Sequence, residues 1–218
     1  KATWMVFDLG GGTFDAALIR VRDGGIRVEN HGGENGLGGK LIDWAIVDRV
    51  FIPALLKTYP LTDFRRGCPK WNAAMAKLKG EAEKAKIRLS AETSYEVFID
   101  YLCNDDDGCP VGFQYEFQRS DLEPLAEPIF SKAIGICKRV LNEKRVSTAQ
   151  VEKMILVGGP TWTPLLREML LSSVAQSLGI PLEYRIDPMT VVARGAAIFG
   201  GTQTLATQSS TATVPGAF

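Results

Sequence analysis

The stretch Val6-Phe7-Asp8-Leu9-Gly10-Gly11-Gly12-Thr13-Phe14-Asp15 decides the fold. Apolar residues lead into it from Trp4 and continue to Val21, which predicts two strands joined by a glycine corner. Glycines let a ligand approach the backbone closely, and their N–H groups can converge on a phosphate. The Thr13 hydroxyl adds a donor, and Asp8 is placed to hold a hydrated Mg²⁺. The alternative is a hairpin that merely turns.

Two further glycine pairs lie at predicted helix starts. Leu37-Gly38-Gly39 precedes a predicted helix from about Lys40 to Lys57, whose N-terminus would offer N–H groups to an anion. In the segment Val157 to Trp162, Gly158 and Gly159 would let a flat base lie against the backbone, and Trp162 offers an aromatic face. The alternatives are an ordinary tight loop at the first pair and a tryptophan that only covers a loop at the second.

A predicted helix from Trp71 to Ser90 carries a polar face beside its apolar stripe. Glu83, Lys86, Ile87 and Ser90 are spaced at i, i+3, i+4 and i+7, so they share one side of the helix. An acceptor, a donor and a hydroxyl around an apolar residue would suit a ribose and a base, whereas the alternative is a solvated surface. The predicted buried stripe consists of Leu78, Ala82, Ala85 and Leu89.

Strands and helices alternate along the rest of the chain, which indicates an α/β fold. Further strands are predicted at 26–29, 95–102, 113–117 and 152–157. Further helices are predicted from a capping box of Ser120 and Glu123 to about Asn142, from Thr163-Pro164 to about Gln176, and from Asp187-Pro188 through Ala197. The Ser/Thr/Ala-rich residues 203–218 are predicted to be a linker or tail.

Composition argues against several classes of function. The 25 basic and 25 acidic residues cancel, so nothing favours a nucleic-acid partner. No apolar run approaches the ~18 residues that span a membrane. Four cysteines without a CxxC pair, and a single histidine, argue against zinc and favour reduced thiols in a cytoplasmic protein. Asp105-Asp106-Asp107-Gly108 lacks EF-hand spacing and predicts a solvated hairpin tip.

Together these segments resemble the DnaK-type heat shock protein 70 family of molecular chaperones, in the C-terminal lobe (lobe II) of its ATPase domain. Residues 6–15 match the second phosphate motif of that family, and residues 37–43 are similar to its next loop. Residues 83–90 look like its adenosine-side helix, 156–164 like its adenosine motif, and 195–197 like the close of its last helix. Order and spacing agree over about residues 4–201.

The resemblance implies a ribonuclease-H-like, actin-like α/β fold. Residues 1–41 and 146–203 would form a core subdomain, 42–145 an inserted helix–hairpin–helix subdomain, and 204–218 a linker or tail. It also implies ATP or ADP with Mg²⁺, with Asp8 and Thr13 in catalytic roles and Asp8 holding the metal through water. The implied nucleotide-binding residues are Gly10, Gly11, Gly12, Thr13, Gly38, Gly39, Glu83, Lys86, Ile87, Ser90, Gly158, Gly159, Pro160, Trp162 and Met189.

The chain departs from the family pattern at the base. The family has arginine where this chain has Ile87 and Trp162, and those side chains sandwich the adenine. An aliphatic and an aromatic face would replace them here, with Trp162 stacking on the base. Pro160 replaces a serine, Met189 replaces an aspartate, and Lys40 replaces an acidic residue and would add a phosphate contact. The chain is therefore expected to be a divergent member.

In a longer parent protein, the N-terminal lobe would supply the first phosphate loop, so the isolated lobe is not expected to hydrolyse ATP. ATP hydrolysis in the parent would drive lobe motion coupled to substrate binding, with a nucleotide-exchange factor or co-chaperone as partner. One alternative is a degenerate actin-like scaffold that binds nucleotide without turnover. Another is a different actin-fold protein, of sugar-kinase or filament type. A β-rich domain after residue 218 of the parent would favour the chaperone.

Overall fold

A computed structural model describes residues 2–23, 25–171 and 177–210, with the backbone alone over 202–210. Its strands are β1 (Ala2–Leu9), β2 (Thr13–Arg22), β3 (Gly25–Asn35), β4 (Ser94–Asn104), β5 (Pro110–Gln118), β6 (Lys153–Val157) and β7 (Leu182–Glu183). Its helices are α1 (Gly39–Ile46), α2 (Ile52–Leu56), α3 (Asn72–Arg88), α4 (Arg119–Glu143), α5 (Pro164–Leu171) and α6 (Val191–Ser210).

The main sheet has five strands in the order β3-β2-β1-β6-β7. The first three strands form an antiparallel meander, whereas β1 and β6 run parallel, as do β6 and β7. Asp8 at the end of β1 is level with Val157 at the end of β6. The glycine corner after β1 and the glycine turn after β6 therefore meet at one edge of the sheet. This mixed sheet with its helices is the predicted α/β, actin-like architecture.

The core alternates along β1, where Met5, Phe7 and Leu9 are fully buried. The predicted helix from Lys40 to Lys57 forms as α1 and α2, joined by a π-helical segment, Val47–Phe51. The whole predicted stripe of α3 is buried, which confirms that prediction. On α1, Leu41 is exposed, while Asp43, two residues later, is buried.

The predicted capping box at the start of α4 is wrong. The helix begins at Arg119 after Gln118, and no side chain caps its first turn. The Arg119 N–H donates to the Thr93 carbonyl at 2.8 Å, and the Arg119 guanidinium donates to the carbonyls of Leu89 and Glu92, each at 2.8 Å. Contacts of Arg119 with residues 89–93 therefore start this helix at Arg119, so Ser120 lies inside the helix and not at its cap. Pro124 and Pro128 both lie inside the helix.

The C-terminal helices begin near their predicted positions. Pro164 is the first residue of α5, which is described through Leu171; the rest of its predicted span, 172–176, lies outside the described residues. Asp187 accepts hydrogen bonds from the Met189 N–H at 3.0 Å and the Thr190 hydroxyl at 2.9 Å, just before α6. That helix continues past the predicted end at Ala197 to Ser210, so 203–210 is helical.

The remaining predicted linker or tail, 211–218, lies outside the described residues. The two-residue strand β7 was not predicted, because two residues carry too little periodicity to show a pattern. In the described part of the chain, no helix has the length and apolar character needed to cross a membrane.

Candidate functional site

A cleft of about 550 Å³ opens where three separate parts of the chain meet. It lies among the glycine corner after β1, the polar face of α3 and the turn after β6. Its lining residues are Gly11, Glu83, Lys86, Ile87, Ser90, Ala91, Gly159, Pro160, Trp162, Thr163 and Met189. Most of the sequence-predicted binding residues thus share one space, while Asp8, Gly10, Gly12, Thr13, Gly38, Gly39 and Gly158 lie outside its lining.

The glycine corner is held by its carbonyl groups. The Gly10, Gly11 and Gly12 carbonyls accept backbone N–H groups of Gly39, Lys40 and Gly36 at 2.9, 2.7 and 2.9 Å. Within the described ranges, no protein acceptor takes the N–H groups of Gly11 and Gly12. The corner therefore has donors free for an anion.

Gly38 and Gly39, the second glycine pair, pack against this corner. A Cβ on Gly38 would lie 2.7 Å from both the Gly11 carbonyl carbon and the Gly12 nitrogen, so only glycine allows this packing. The Gly39 N–H donates to the Gly10 carbonyl at 2.9 Å, so that group is not open to a phosphate. The side chain of Lys40 is exposed and runs beside the corner, with its Cε 3.9 Å from where a Gly11 Cβ would stand.

Asp8 is a half-buried carboxyl directly across the β1–β2 ladder from Asp15. Burial raises its pKa above the ordinary aspartate value, and the negative charge of Asp15 adds to that rise. The neighbouring Thr13 is exposed at the start of β2. Among the residues that the structure describes, no group of three or more metal-ligating side chains occurs. An ion near Asp8 would therefore keep most of its water, as Mg²⁺ commonly does.

The polar face of α3 is tied to α1 by a buried ion pair that the sequence did not reveal. The Lys86 ammonium lies 2.6 Å from Oδ1 of Asp43 and donates to the Gly39 carbonyl at 3.3 Å. Burial raises the pKa of Asp43, while the adjacent Lys86 partly opposes the rise. The one sequence signal for this ion pair was Asp43 itself, a charged residue on the apolar side of the predicted helix and inside the matched segment 37–43.

Two other side chains on this face stand at the mouth of the cleft. The Ser90 hydroxyl donates to the Lys86 carbonyl at 3.3 Å, one helical turn back. Ile87 is 61% exposed, so its apolar side chain is accessible to a ligand in the cleft.

The turn after β6 leaves no space for a side chain at its first glycine. Gly158 has φ +92°, and a Cβ there would collide with the Leu9 carbonyl. Its N–H donates to the Pro188 carbonyl at 3.0 Å, and its carbonyl accepts the Thr161 hydroxyl at 2.6 Å. The backbone after β6 is therefore pressed against the end of β1, next to the glycine corner.

Trp162 stands at the rim of the cleft with 46% of its surface exposed. A 3₁₀ turn, Gly159–Trp162, carries it there, and the Arg167 guanidinium lies over its ring. The Met189 sulfur lies 3.5 Å from where a Gly159 Cβ would stand. With Ile87 and Pro160, these side chains form the apolar part of the cleft lining.

The cleft thus combines two environments that suit different parts of one ligand. Its lining includes Gly11 of the glycine corner, the apolar side chains of Ile87, Pro160, Trp162 and Met189, and the charged side chains of Glu83 and Lys86. Such a lining suits a ligand that combines an anionic group, polar groups and a flat apolar part.

Comparison with known proteins gives consistent matches. The family model described as "Hsp70 protein" matches residues 1–212. The chain is 36% identical over 197 residues to the chaperone protein DnaK of Methanothermobacter thermautotrophicus, and 34% identical over 197 residues to that of Ureaplasma urealyticum. Each alignment covers 90% of this chain and 31% of the relative, so the chain spans about a third of the length of these relatives.

Proposed function

Because the chain belongs to the Hsp70 protein family, we propose that it is the C-terminal lobe of a chaperone ATPase domain and binds one side of ATP or ADP with Mg²⁺. The observation that carries this proposal is the single cleft that joins the glycine corner, the polar face of α3 and the Trp162 turn. These three segments are far apart in sequence, and a shared ligand is a reason for the fold to bring them together.

The phosphates would lie at the glycine corner. The N–H groups of Gly11 and Gly12 and the hydroxyl of Thr13 would donate to phosphate oxygens, and the Lys40 ammonium would add charge. Asp8 would accept from water molecules around Mg²⁺, which when bound neutralises phosphate charge. Burial and the charge of Asp15 raise the pKa of Asp8, and a bound Mg²⁺ would favour its charged form.

The nucleoside would lie along α3 and the turn after β6. Glu83 would accept from a sugar hydroxyl and Lys86 would donate to one, while Ser90 would face the base. Ile87 and Trp162 would hold the two faces of the adenine, so the sandwich would be apolar. Met189 and Pro160 would close its edge.

We also propose the subdomain division of 1–41 with 146–203 as core and 42–145 as insert. Hydrolysis needs groups on both sides of the nucleotide, and this chain provides one side. The chain alone should therefore bind nucleotide weakly and turn over negligibly. In a longer protein, hydrolysis would drive lobe motion coupled to substrate binding, with a co-chaperone or exchange factor as partner. A scaffold that binds nucleotide without turnover is the second candidate, favoured by the apolar residues Ile87 and Met189.

Titration calorimetry of the chain with Mg·ATP and Mg·ADP tests the proposal. Gly12→Val should weaken binding at least about tenfold, because the added side chain stands where phosphates would lie. A Cβ at Gly12 has nothing within 4 Å, so this variant should fold. Gly135→Val in α4 is the matched control, since its Cβ also meets nothing within 4 Å.

Each result has a distinct meaning. Absence of binding by the unaltered chain would refute the nucleotide proposal. Binding that survives Gly12→Val would place the phosphates elsewhere. Loss of binding in Gly12→Val but not in Gly135→Val, and a similar loss in Asp8→Asn, would support the site as proposed.

A further inference from the structure

Four charged side chains of alternating sign form a line between α1 and α3. Glu83 lies 3.4 Å from Lys79, Lys79 lies 3.8 Å from Asp43, and Asp43 lies 2.6 Å from Lys86. The two ends of the line, Glu83 and Lys86, border the cleft, whereas the two middle members do not. The line therefore connects the acidic and the basic side chain of the described cleft lining through two residues outside it, Lys79 and Asp43.

Asp43 is the buried centre of this line. Its side chain is 1% exposed, and neither carboxylate oxygen makes a well-aligned hydrogen bond in the described structure. A buried carboxylate without such bonds depends on nearby cations for its charge compensation. Lys86 at 11% side-chain exposure and Lys79 at 24% supply it, and each is held in place in return.

The same short helix also holds the glycine corner. The Gly39 and Lys40 N–H groups at the start of α1 bind the Gly10 and Gly11 carbonyls, and Asp43 follows one turn later. The distance between the corner and the Lys86 ammonium is thus fixed through α1. A ligand that reaches from the corner to Lys86 would meet both already in place.

We propose that Asp43 is a positioning residue for a ribose site. It holds Lys86 directly and holds Glu83 through Lys79, so that Lys86 and Glu83 can bind the two neighbouring hydroxyls of the sugar. This inference rests on the proposed function and specifies how the middle of the nucleotide is held. A donor and an acceptor side by side suit a vicinal diol, because each hydroxyl can both donate and accept. Asp43 itself never touches the ligand.

The test compares a ribose ligand with one that lacks the diol. Calorimetry would measure the affinity of the chain and of Asp43→Asn for Mg·ADP and for Mg·2′,3′-dideoxy-ADP. We expect the unaltered chain to favour ADP about tenfold, or 1.4 kcal/mol, and Asp43→Asn to bind both nearly equally. The loss should fall on ADP and leave dideoxy-ADP almost unchanged.

Three further variants separate positioning from folding. Asp48→Asn is the matched control, because Asp48 is in the same helical run and pairs with exposed Arg66 at 2.7 Å. The double variant Asp43→Asn/Lys86→Gln should lose no more of the preference for ADP over dideoxy-ADP than either single variant loses. If Asp43→Asn does not fold, Lys79→Met, which keeps the 2.6 Å pair, should lower the preference for ADP partially.

If Asp43→Asn bound ADP and dideoxy-ADP with equally reduced affinity, Asp43 would only support the fold. If its preference for ADP over dideoxy-ADP were unchanged, Asp43 would position neither side chain. Either result overturns this inference while the nucleotide proposal stands. An unaltered chain that binds neither ligand overturns both.

Discussion

The guanidinium carbon of Arg167 lies 4.7 Å from the centroid of the Trp162 ring. Its Nε also donates to the Thr161 carbonyl at 2.9 Å, and the guanidinium lies 5.5 Å from the ring centroid of Tyr184. An arginine is therefore present beside the proposed base site, as a support for the aromatic ring that lines it. This arrangement limits the motion of a side chain that is otherwise half exposed.

Replacing Trp162 should weaken nucleotide binding more than replacing Arg167. We expect Trp162→Ala to lower Mg·ADP affinity about tenfold, since base stacking on an aromatic side chain contributes about 1–3 kcal/mol. Arg167→Gln should lower it about two- to fivefold, because a partly exposed cation–π contact contributes about 0.5–1 kcal/mol. Titration calorimetry measures both.

Lys153→Met is the matched control, because Lys153 lies 4.5 Å over the Trp4 ring, away from the cleft lining. An unchanged affinity in Trp162→Ala would mean that the base does not stack on this ring. An unchanged affinity in Arg167→Gln alone would mean that the ring needs no support.

Gly38 should be intolerant of even one methyl group. In Gly38→Ala, Cβ would lie 2.7–2.8 Å from backbone atoms of Gly10, Gly11 and Gly12, so the corner must shift. Overpacking of this kind costs about 1–3 kcal/mol, and the shift should also weaken Mg·ADP binding. Urea unfolding and calorimetry measure the two effects.

The same glycine-to-alanine change at Gly135 should have the opposite effect on the free energy of unfolding. Gly135 lies inside α4 with nothing within 4 Å of its Cβ, so alanine should stabilise the chain by about 0.5–1 kcal/mol. If Gly38→Ala behaves like Gly135→Ala, the close packing beneath the corner is not as described.

The parts of the site that sequence could predict are those with local signals. The glycine corner, the spacing on α3 and the Gly158–Trp162 turn each carry a pattern within a few residues, and the structure brings members of all three to one cleft. Asp43 and Arg167 escaped notice because their partners are distant or come from another element. The capping box failed for the same reason, since contacts of Arg119 with residues 89–93 fix that helix start.

Thiol reactivity should distinguish Cys109 from Cys137. Cys137 is buried in α4, and burial raises its pKa to about 12, whereas Cys109 is exposed. With iodoacetamide at pH 8, Cys109 should be alkylated first and Cys137 should stay unmodified, because the thiolate is the reacting form. Peptide mass spectrometry measures this, with the urea-unfolded chain as control. Equal rates at the two sites in the folded chain would contradict the burial of Cys137.

The tip of the β4–β5 hairpin is exposed over residues 106–110, as predicted, and the Asp106 carboxylate also contacts the segment before α3. This carboxylate accepts from the Thr62 N–H at 2.6 Å and from the Lys70 ammonium at 2.7 Å. These hydrogen bonds lower its pKa from 3.8 to about 2. The folded chain therefore holds this proton less tightly than the unfolded chain, so the bonds stabilise the fold above about pH 4 and stop doing so as pH falls through 2.

Asp106→Asn should accordingly lower the melting temperature at neutral pH, and its difference from the unaltered chain should shrink between pH 4 and pH 2. Thermal unfolding followed by circular dichroism across this range measures the difference. Asp107→Asn is the control, because in the described structure the Asp107 side chain makes no hydrogen bond or ion pair, and we expect it to cause little change at any pH. A deficit in Asp106→Asn that stays constant down to pH 2 would mean that the carboxylate charge does not hold the hairpin tip in place.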